Sequence, residues 1–506
     1  MSGNIDIDNP DSAGIESPHA RPAATFKPSV PVKLAYGLGQ IPQSAGFDTA
    51  LNFVFFYYTA VLGLSGAAVG AALAISLAFD AAVDPLVGSF SDNTRSRLGR
   101  RLPMMIIAIP FIALSLGLLF SPPGHASPWL LFGWLAMASV AVRSCISLFN
   151  VPYIALGAEM ADGYVERSSV VAYRTIIGIV AGVMVTAMGF AFFFVGKDGL
   201  LRAQAYPGFG WAVALFLTLG MAACCLGVGR YAAALPRAAH DAAPIYRRLP
   251  SEIVEIFRNP SFRVLFASAV VFYVAVGLNA TLNSHTQVFV WRLRPQTMQF
   301  IGYAYVAGIL LGVPFAPLLQ RFVEKKVAVV IGLIMVILTW IVLPGLRAAG
   351  LFTPVGDAAL LPLAISTSVA GVGVGFVAIA YPSMMADAAD EHEHLFGRRR
   401  EGLYFSGLGF AGKAASGLGV LVAGLALDII GFPSHAADQV GTHLQEGLLI
   451  RLILAWGPAS AALGIIALIL FLPYGITRRR HDALTLELRA KRAALPGLGA
   501  HPRAAG

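Results

Sequence analysis

The sequence predicts an all-α polytopic membrane protein with about twelve transmembrane helices in two six-helix halves. Three observations carry this: a composition that only a bilayer can solvate, apolar windows of spanning length over most of the chain, and positive loops on alternate connections. Of 506 residues, 57% are hydrophobic and only 12% charged, and the mean hydropathy is +0.72. That is more apolar surface than a soluble core can hide. A spanning helix needs about 20 mostly apolar residues, because without water every backbone polar group must be satisfied inside the segment.

The windows fall at 32–61, 67–93, 103–121, 128–156, 168–195, 209–235, 262–290, 297–320, 327–346, 358–385, 403–430 and 446–474, and are numbered here as spans one to twelve. Positive charge sorts the connections into two sets. Arg95, Arg97, Arg100 and Arg101 follow span two, Arg237, Arg247, Arg248 and Arg258 follow span six, Arg321, Lys325 and Lys326 follow span eight, and Arg398, Arg399 and Arg400 follow span ten. Loops 62–66 and 121–128 carry no Lys or Arg, and Arg478, Arg479 and Arg480 follow the last span. The basic loops are expected to face the cytoplasm of a plasma (inner) membrane, with both termini inside. The net charge of +9 therefore reflects topology, and no nucleic-acid partner is expected. Segment 1–30, rich in Pro, Ser, Ala and Asp, reads as a disordered cytoplasmic tail without the pattern of a signal peptide. Cys145, Cys224 and Cys225 lie in apolar segments and suggest neither a disulfide framework nor a metal site.

The longest polar interruption, 236–261, reads as a cytoplasmic linker between a half at 31–235 and a half at 262–475, with 476–506 as a cytoplasmic tail. The basic loop after span two has an echo in Arg321, Glu324, Lys325 and Lys326 after span eight, the second span of the second half. Two parallel halves with a substrate site between them near the midplane are the major facilitator arrangement. Neither a GxxxxGK[ST] phosphate loop nor a nucleophile–base–orienter set is present. ATP-driven transport and enzymatic activity are thus not predicted, and no cofactor is expected.

A charge within a span costs at least about 2.5 kcal/mol, so each needs a partner, a water-filled cavity or a function. Asp80 and Asp84 stand at i and i+4 in span two, on one helical face, just before Pro85. Two carboxylates so close repel unless a proton or cation lies between them, which is what an ion-coupling site requires. The alternative is a carboxylate that stays protonated or pairs with an arginine. Lys413 lies mid-span in helix eleven, where its ammonium cannot snorkel to an interface. It is expected to reach Asp80 or Asp84 across the two halves, a helix-packing hydrogen bond being the alternative. Arg174 in span five is a candidate for substrate contact or for a gate, and Arg143 in span four has no assigned role. His392 and His394 stand among Asp387, Asp390, Glu391 and Glu393, next to Arg398 and Arg399. At a basic helix end that composition favours an ionic latch over a metal centre.

The run Asp80-Ala81-Ala82-Val83-Asp84-Pro85, followed by Gly88, Asp92, Thr94, Arg95, Ser96, Arg97, Gly99 and Arg100, resembles the signature of the glycoside–pentoside–hexuronide cation symporters, the melibiose permease-like branch of the major facilitator superfamily. The likeness extends through Lys33, Tyr36, Gly37, Gly39, Pro152, Glu166 to Arg174, Asp387, Asp390, Gly397, Arg398, Arg399, Glu401, Gly402 and Lys413. It implies that Asp80 and Asp84 bind sodium, lithium or a proton, with Lys413 beside them. It also implies a sugar held by a span-one and a span-four carboxylate, positions matched here by Ser44 and Asn150, and by a stacking tryptophan, matched by Ile154. A carboxamide between the coupling carboxylates is matched by Val83. This removes an oxygen from a sodium shell and favours a proton, with Ser147 a candidate for the missing ligand. The candidate substrate set is Ser44, Asp48, Asn150 and Arg174. Asp92, Arg95, Arg97, Arg100 and Arg101 resemble the facilitator loop motif GxxxD–RxGRR and join Asp387, Asp390, Arg398 and Arg399 as gating candidates.

The expected function is cation symport, with a proton or sodium, of a sugar, glycoside or related small organic solute. A carrier of lysolipid or another amphiphile, or a transport-dead solute sensor, are the alternatives. The partners expected are the substrate and the bilayer, and the chain is expected to act as a monomer. Topology is testable by single-cysteine labelling of intact cells. A cysteine at Gly99 or Arg399 is expected to resist an impermeant maleimide added outside, and rapid modification there would invert the assigned orientation.

Overall fold

The computed structural model describes residues 28–94, 96–161, 164–234, 253–398, 401–434, 436–439 and 444–494. Among them the secondary structure is helical throughout. Ten helices are long and apolar enough to cross a membrane: spans three (Leu102–Leu119), four (Pro128–Glu159), five (Glu166–Phe193), six (Ala205–Ala233), seven (Pro260–Val290), eight (Pro295–Phe322), nine (Lys325–Ala348), ten (Asp357–Phe396), eleven (Glu401–Ile430) and twelve (Glu446–Phe471). Two further spans complete the bundle of a multi-pass membrane protein. Span two is Gly66–Asn93. Span one is an interrupted helix, Val30–Leu38 and Leu51–Phe56 joined by wide turns at Pro42–Ala50 and followed by another at Tyr57–Val61.

Local chemistry sets several ends. Ser65 accepts the Ala68 N–H at the start of span two, and Ser127 does the same for Leu130 ahead of Pro128 in span four. Asn259 caps Phe262, with Pro260 in the first turn, so span seven begins two residues before the predicted window. Span ten runs past its apolar window to Phe396, because its polar extension finds ionic partners, and Gly397 at φ +71° ends it. Within the expected linker, residues 253–258 are helical, while 235–252 and the expected tail 1–27 lie outside the described residues. The segment read as a C-terminal tail contains a further helix, Arg478–Ala494. Its Leu484 and Leu488 are buried, and Arg480 Nη2 sits 2.7 Å from Glu391 of span ten. Periodicity alone reads this stretch as polar because only a narrow stripe of it is apolar.

The halves meet along spans two and eleven. Gly66 and Gly424 pack backbone to backbone, so that a Cβ on either would overlap the other's carbonyl, and Gly70 lies against the Val420 carbonyl. At the far end of span eleven, by contrast, Gly402 and Gly409 have no neighbour within 4 Å of where a Cβ would stand. The halves are therefore closed at the end away from the arginine-rich loops and open toward them. The closure is built from directional contacts. The Asp428 carboxylate accepts the Gly66 and Ala67 N–H groups of the opposite half at 2.8 and 3.0 Å, which places an anion at a helix N-terminus. Thr59 Oγ1 lies 2.9 Å from His285 Nε2, and Phe55, Phe56 and Phe432 pack around that imidazole.

Asp428→Ala removes the acceptor that the two halves share at the closed end. It is expected to cost about 1 kcal/mol, as for other helix caps, and to raise by about fivefold the labelling rate of a cysteine at Ser284 by an impermeant reagent added at that end. Unchanged labelling would show that the cap does not hold the closure.

Candidate functional site

Asp80 and Asp84 project from one face of span two, and Lys413 of span eleven reaches both. Its ammonium lies 2.9 Å from Asp84 Oδ2 and 3.4 Å from Asp80 Oδ2. The three differ in solvent access: the Asp80 side chain is 5% exposed, Asp84 30% and Lys413 46%. Asp80 is thus the drier of the two carboxylates and Asp84 the more exposed. Ser147 of span four donates to Asp80 Oδ1 at 2.6 Å. Both Asp80 oxygens and Asp84 Oδ2 are therefore engaged, and Asp84 Oδ1 is buried without a hydrogen-bond partner. Two carboxylates share the one ammonium in direct contact with them, so a proton or a monovalent cation arriving there would compete with Lys413 for them.

Two adjoining cavities lie between the halves. The larger, about 840 Å³, is lined by Lys413, Arg143, Gln43, Asn52, Phe405 and Leu408 among others, and extends toward the arginine-rich end. Arg143 also lies within electrostatic reach of Asp80. The smaller, about 330 Å³, lies toward the closed end and is lined by Thr49, Asn52, Asn279, Asn283, Gln287 and Trp456 among others. Asn52, Val276, Ala280 and Tyr305 belong to both walls.

Of the candidate substrate residues, Ser44 stands against span five, where a Cβ on Gly178 would come within 2.7 Å of its Oγ. Asn150 reaches the cavity through Gln43, its Nδ2 3.5 Å from Gln43 Oε1. Arg174 lies beside the Tyr36 hydroxyl and is not among the lining residues of either cavity. The Asp48 side chain lies outside the described residues. The wide turns of span one are the reason for the difference. Bonding of i to i+5 adds a residue to the turn and rotates the face that follows, so that Gln43, Thr49 and Asn52 line the cavities where correspondence with the resembled family pointed to Ser44. The amides of spans one and seven escape sequence reasoning because a neutral side chain carries no charge penalty to mark it.

The gating candidates form one ionic network per half. Arg101 contacts Asp92 at 2.5 Å and Glu159 at 2.8 Å, and Arg100 contacts Glu159 at 2.7 Å. Lys325 lies 2.7 Å from Asp387, and His481 lies 3.4 Å from Asp387 and 3.3 Å from Asp390. These pairs stay within a half, so in this conformation they brace helix ends and do not bridge the cleft. Glu159, the acid that ends span four, was not anticipated. Arg97 lies in the turn after span two and Arg398 just after span ten, while Arg95 and Arg399 lie outside the described residues. His392 sits 3.3 Å from Glu255 and His394 3.4 Å from Glu487, and no group of three metal-ligating side chains occurs among the described residues.

Known proteins share both the sequence and the fold. An uncharacterized symporter of Synechocystis is 26% identical over 91% of this chain and 96% of its own length. The isoprimeverose transporter of Lactiplantibacillus pentosus is 24% identical over 90% and 92%. A bacterial homologue of the iron transporter ferroportin superposes with a TM-score of 0.59 at 13% identity, covering 88% of this chain and 97% of that one. The nucleoside transporter NupG gives 0.55 at 16%, covering 87% and 98%. Residues 35–478 match the family described as MFS/sugar transport protein. With its helical bundle, its cleft between two halves and relatives that are carriers and not enzymes, the chain belongs to the MFS/sugar transport protein family.

Proposed function

We propose that the chain is a cation-coupled secondary transporter of a sugar, glycoside or related small organic solute, working by alternating access. The observation that supports this most directly is that Lys413 of one half is shared by Asp80 and Asp84 of the other. Occupancy of the carboxylates by an ion weakens their hold on Lys413 and so alters the attraction between the halves. Chemistry common to relatives supports the substrate class, since these include an isoprimeverose transporter and a putative glycoside/cation symporter of Escherichia coli. The excess of Arg and Lys on one end supports a cytoplasmic placement of that end and of both termini in a plasma membrane. The cleft then opens inward. A single chain contains both halves, the cavities and the ion cluster, which supports a monomer as the working unit.

The oxygen inventory favours a proton over sodium. Of the Asp80 and Asp84 carboxylate oxygens, only Asp84 Oδ1 is without a partner, and Val83 supplies no ligand, whereas a hard cation takes several oxygens. A proton needs only one carboxylate, which either member of the Asp80–Asp84 pair can supply. Uptake into proteoliposomes is expected to follow an imposed pH gradient and to stop on addition of an uncoupler. Asp84→Asn is expected to reduce concentrative uptake at least about tenfold while leaving substrate exchange measurable. Uptake that rises with sodium at fixed pH and ignores the uncoupler would reject the proton. Loss of folded protein in Asp84→Asn would show instead that the pair serves the stability of a buried cation, whose stranding costs about 3–5 kcal/mol.

A further inference from the structure

The second-half wall of the smaller cavity is a row of carboxamides. Asn279, Asn283 and Gln287 stand four residues apart on span seven, so one helical face presents all three, and all three line the cavity. Their orientation is set by other protein groups. Asn279 Nδ2 donates to the Trp456 carbonyl at 3.1 Å while the Trp456 indole N–H donates to the Asn279 carbonyl at 3.0 Å. Gln287 Nε2 donates to Asn283 Oδ1 at 3.1 Å. A carboxamide has two donors and an oxygen with two lone pairs, so the row keeps unspent capacity of both kinds. Trp340 and Trp456 add aromatic surface to the same cavity.

Among the described residues, no acid, lysine, arginine or histidine lines this cavity. An anion entering it would meet no countercharge. Lys413 and Arg143 line the neighbouring cavity, and Lys413 is shared by Asp80 and Asp84. An acyl chain would fare no better, because it would cover amides without satisfying them. What fits alternating donors and acceptors beside flat indoles is a ring with several hydroxyls and an apolar face. The volume of about 330 Å³ lies at the small end of the range of roughly 300–1,000 Å³ for small-molecule sites.

We propose that Asn279, Asn283 and Gln287 form the principal binding wall for an uncharged polyhydroxylated solute, a neutral glycoside or small sugar, and that this wall discriminates against the corresponding uronates. The proposal rests on the reading of the chain as a solute carrier and assigns the selectivity to the second half, on a span where the sequence marks nothing.

The test uses the full chain in lipid nanodiscs and probes that differ in one group: p-nitrophenyl β-glucoside against p-nitrophenyl β-glucuronide, the matching galactoside and galacturonide, and lysophosphatidylcholine. Tryptophan fluorescence and thermal stabilisation report binding. At least one neutral glycoside is expected to bind tenfold or more tightly than its uronate. Asn283→Leu is expected to weaken that binding tenfold or more in protein that elutes and melts as wild type, and Gln287→Ala gives the same readout should Asn283→Leu fail to fold. A uronate bound as tightly as its neutral partner, stabilisation by lysophosphatidylcholine alone, no binding of any probe, or wild-type affinity in the folded variants would each overturn the proposal. Proton-driven accumulation of a uronate would sink this wall but leave symport standing. Neutral binding without any ion-driven accumulation would do the reverse.

Discussion

A lysine in the middle of a spanning helix is too far from either interface to snorkel to it, and its charge is costly to leave uncompensated. Lys413 therefore requires counter-charge from a neighbouring helix, and it finds it on the other half of the molecule. One ammonium for two carboxylates is the constraint on which the rest of the site depends. Had there been one carboxylate, the pair would be closed and inert. With two, separated by a helical turn and unequal in exposure, one ammonium is divided between them, and Asp84 Oδ1 is left without a hydrogen-bond partner.

The same rule acts differently at the arginine-rich end, where charge is cheap. In each half, a cation from the loop between the second and third spans ties to a carboxylate at the end of the fourth: Arg101 to Glu159 in the first half, Lys325 to Asp387 in the second. The repetition gives a physical meaning to the weak echo between the two basic loops. The second half adds its C-terminal helix, with Arg480 on Glu391 and His481 near Asp390, and so carries the larger network. Both networks stiffen a half without joining it to the other, which suits a carrier whose halves must move as bodies.

What the sequence made legible was whatever the bilayer penalises. Apolar length revealed the spans, loop arginines separated the two ends, and buried charge pointed to Asp80, Asp84 and Lys413. Neutral chemistry left no such trace. Asn279, Asn283 and Gln287 cost little to bury in a polar cleft, so nothing in composition separates them from packing residues. Ser44 was chosen by correspondence with a carboxylate position, but the wide turns of span one rotate that face toward Gly178. The helix at Arg478–Ala494 escaped because its apolar stripe is short and its partners, Glu391 and Asp390, are distant in sequence.

The closed end shows why such a carrier can still turn over. It is held by groups that each contribute modestly: a helix cap from Asp428, a hydroxyl–imidazole bond between Thr59 and His285, and aromatic packing around that ring. A cap contributes about 1 kcal/mol and a neutral hydrogen bond about as much, so this closure can be undone by a few kilocalories. That is the scale on which one ligand shifts a two-state equilibrium, since moving it from 1:99 to 99:1 takes about 5.5 kcal/mol of differential binding. The walls shared by the two cavities at Asn52, Val276, Ala280 and Tyr305 put a solute and the ion cluster on opposite sides of the same few side chains. On the proposed reading, a solute against the amides and an ion on Asp84 would act on one interface, that of spans one and two with spans seven and eleven. Neither needs to reach the seal directly, because closing the arginine-rich end around both would lever apart the contacts at the other.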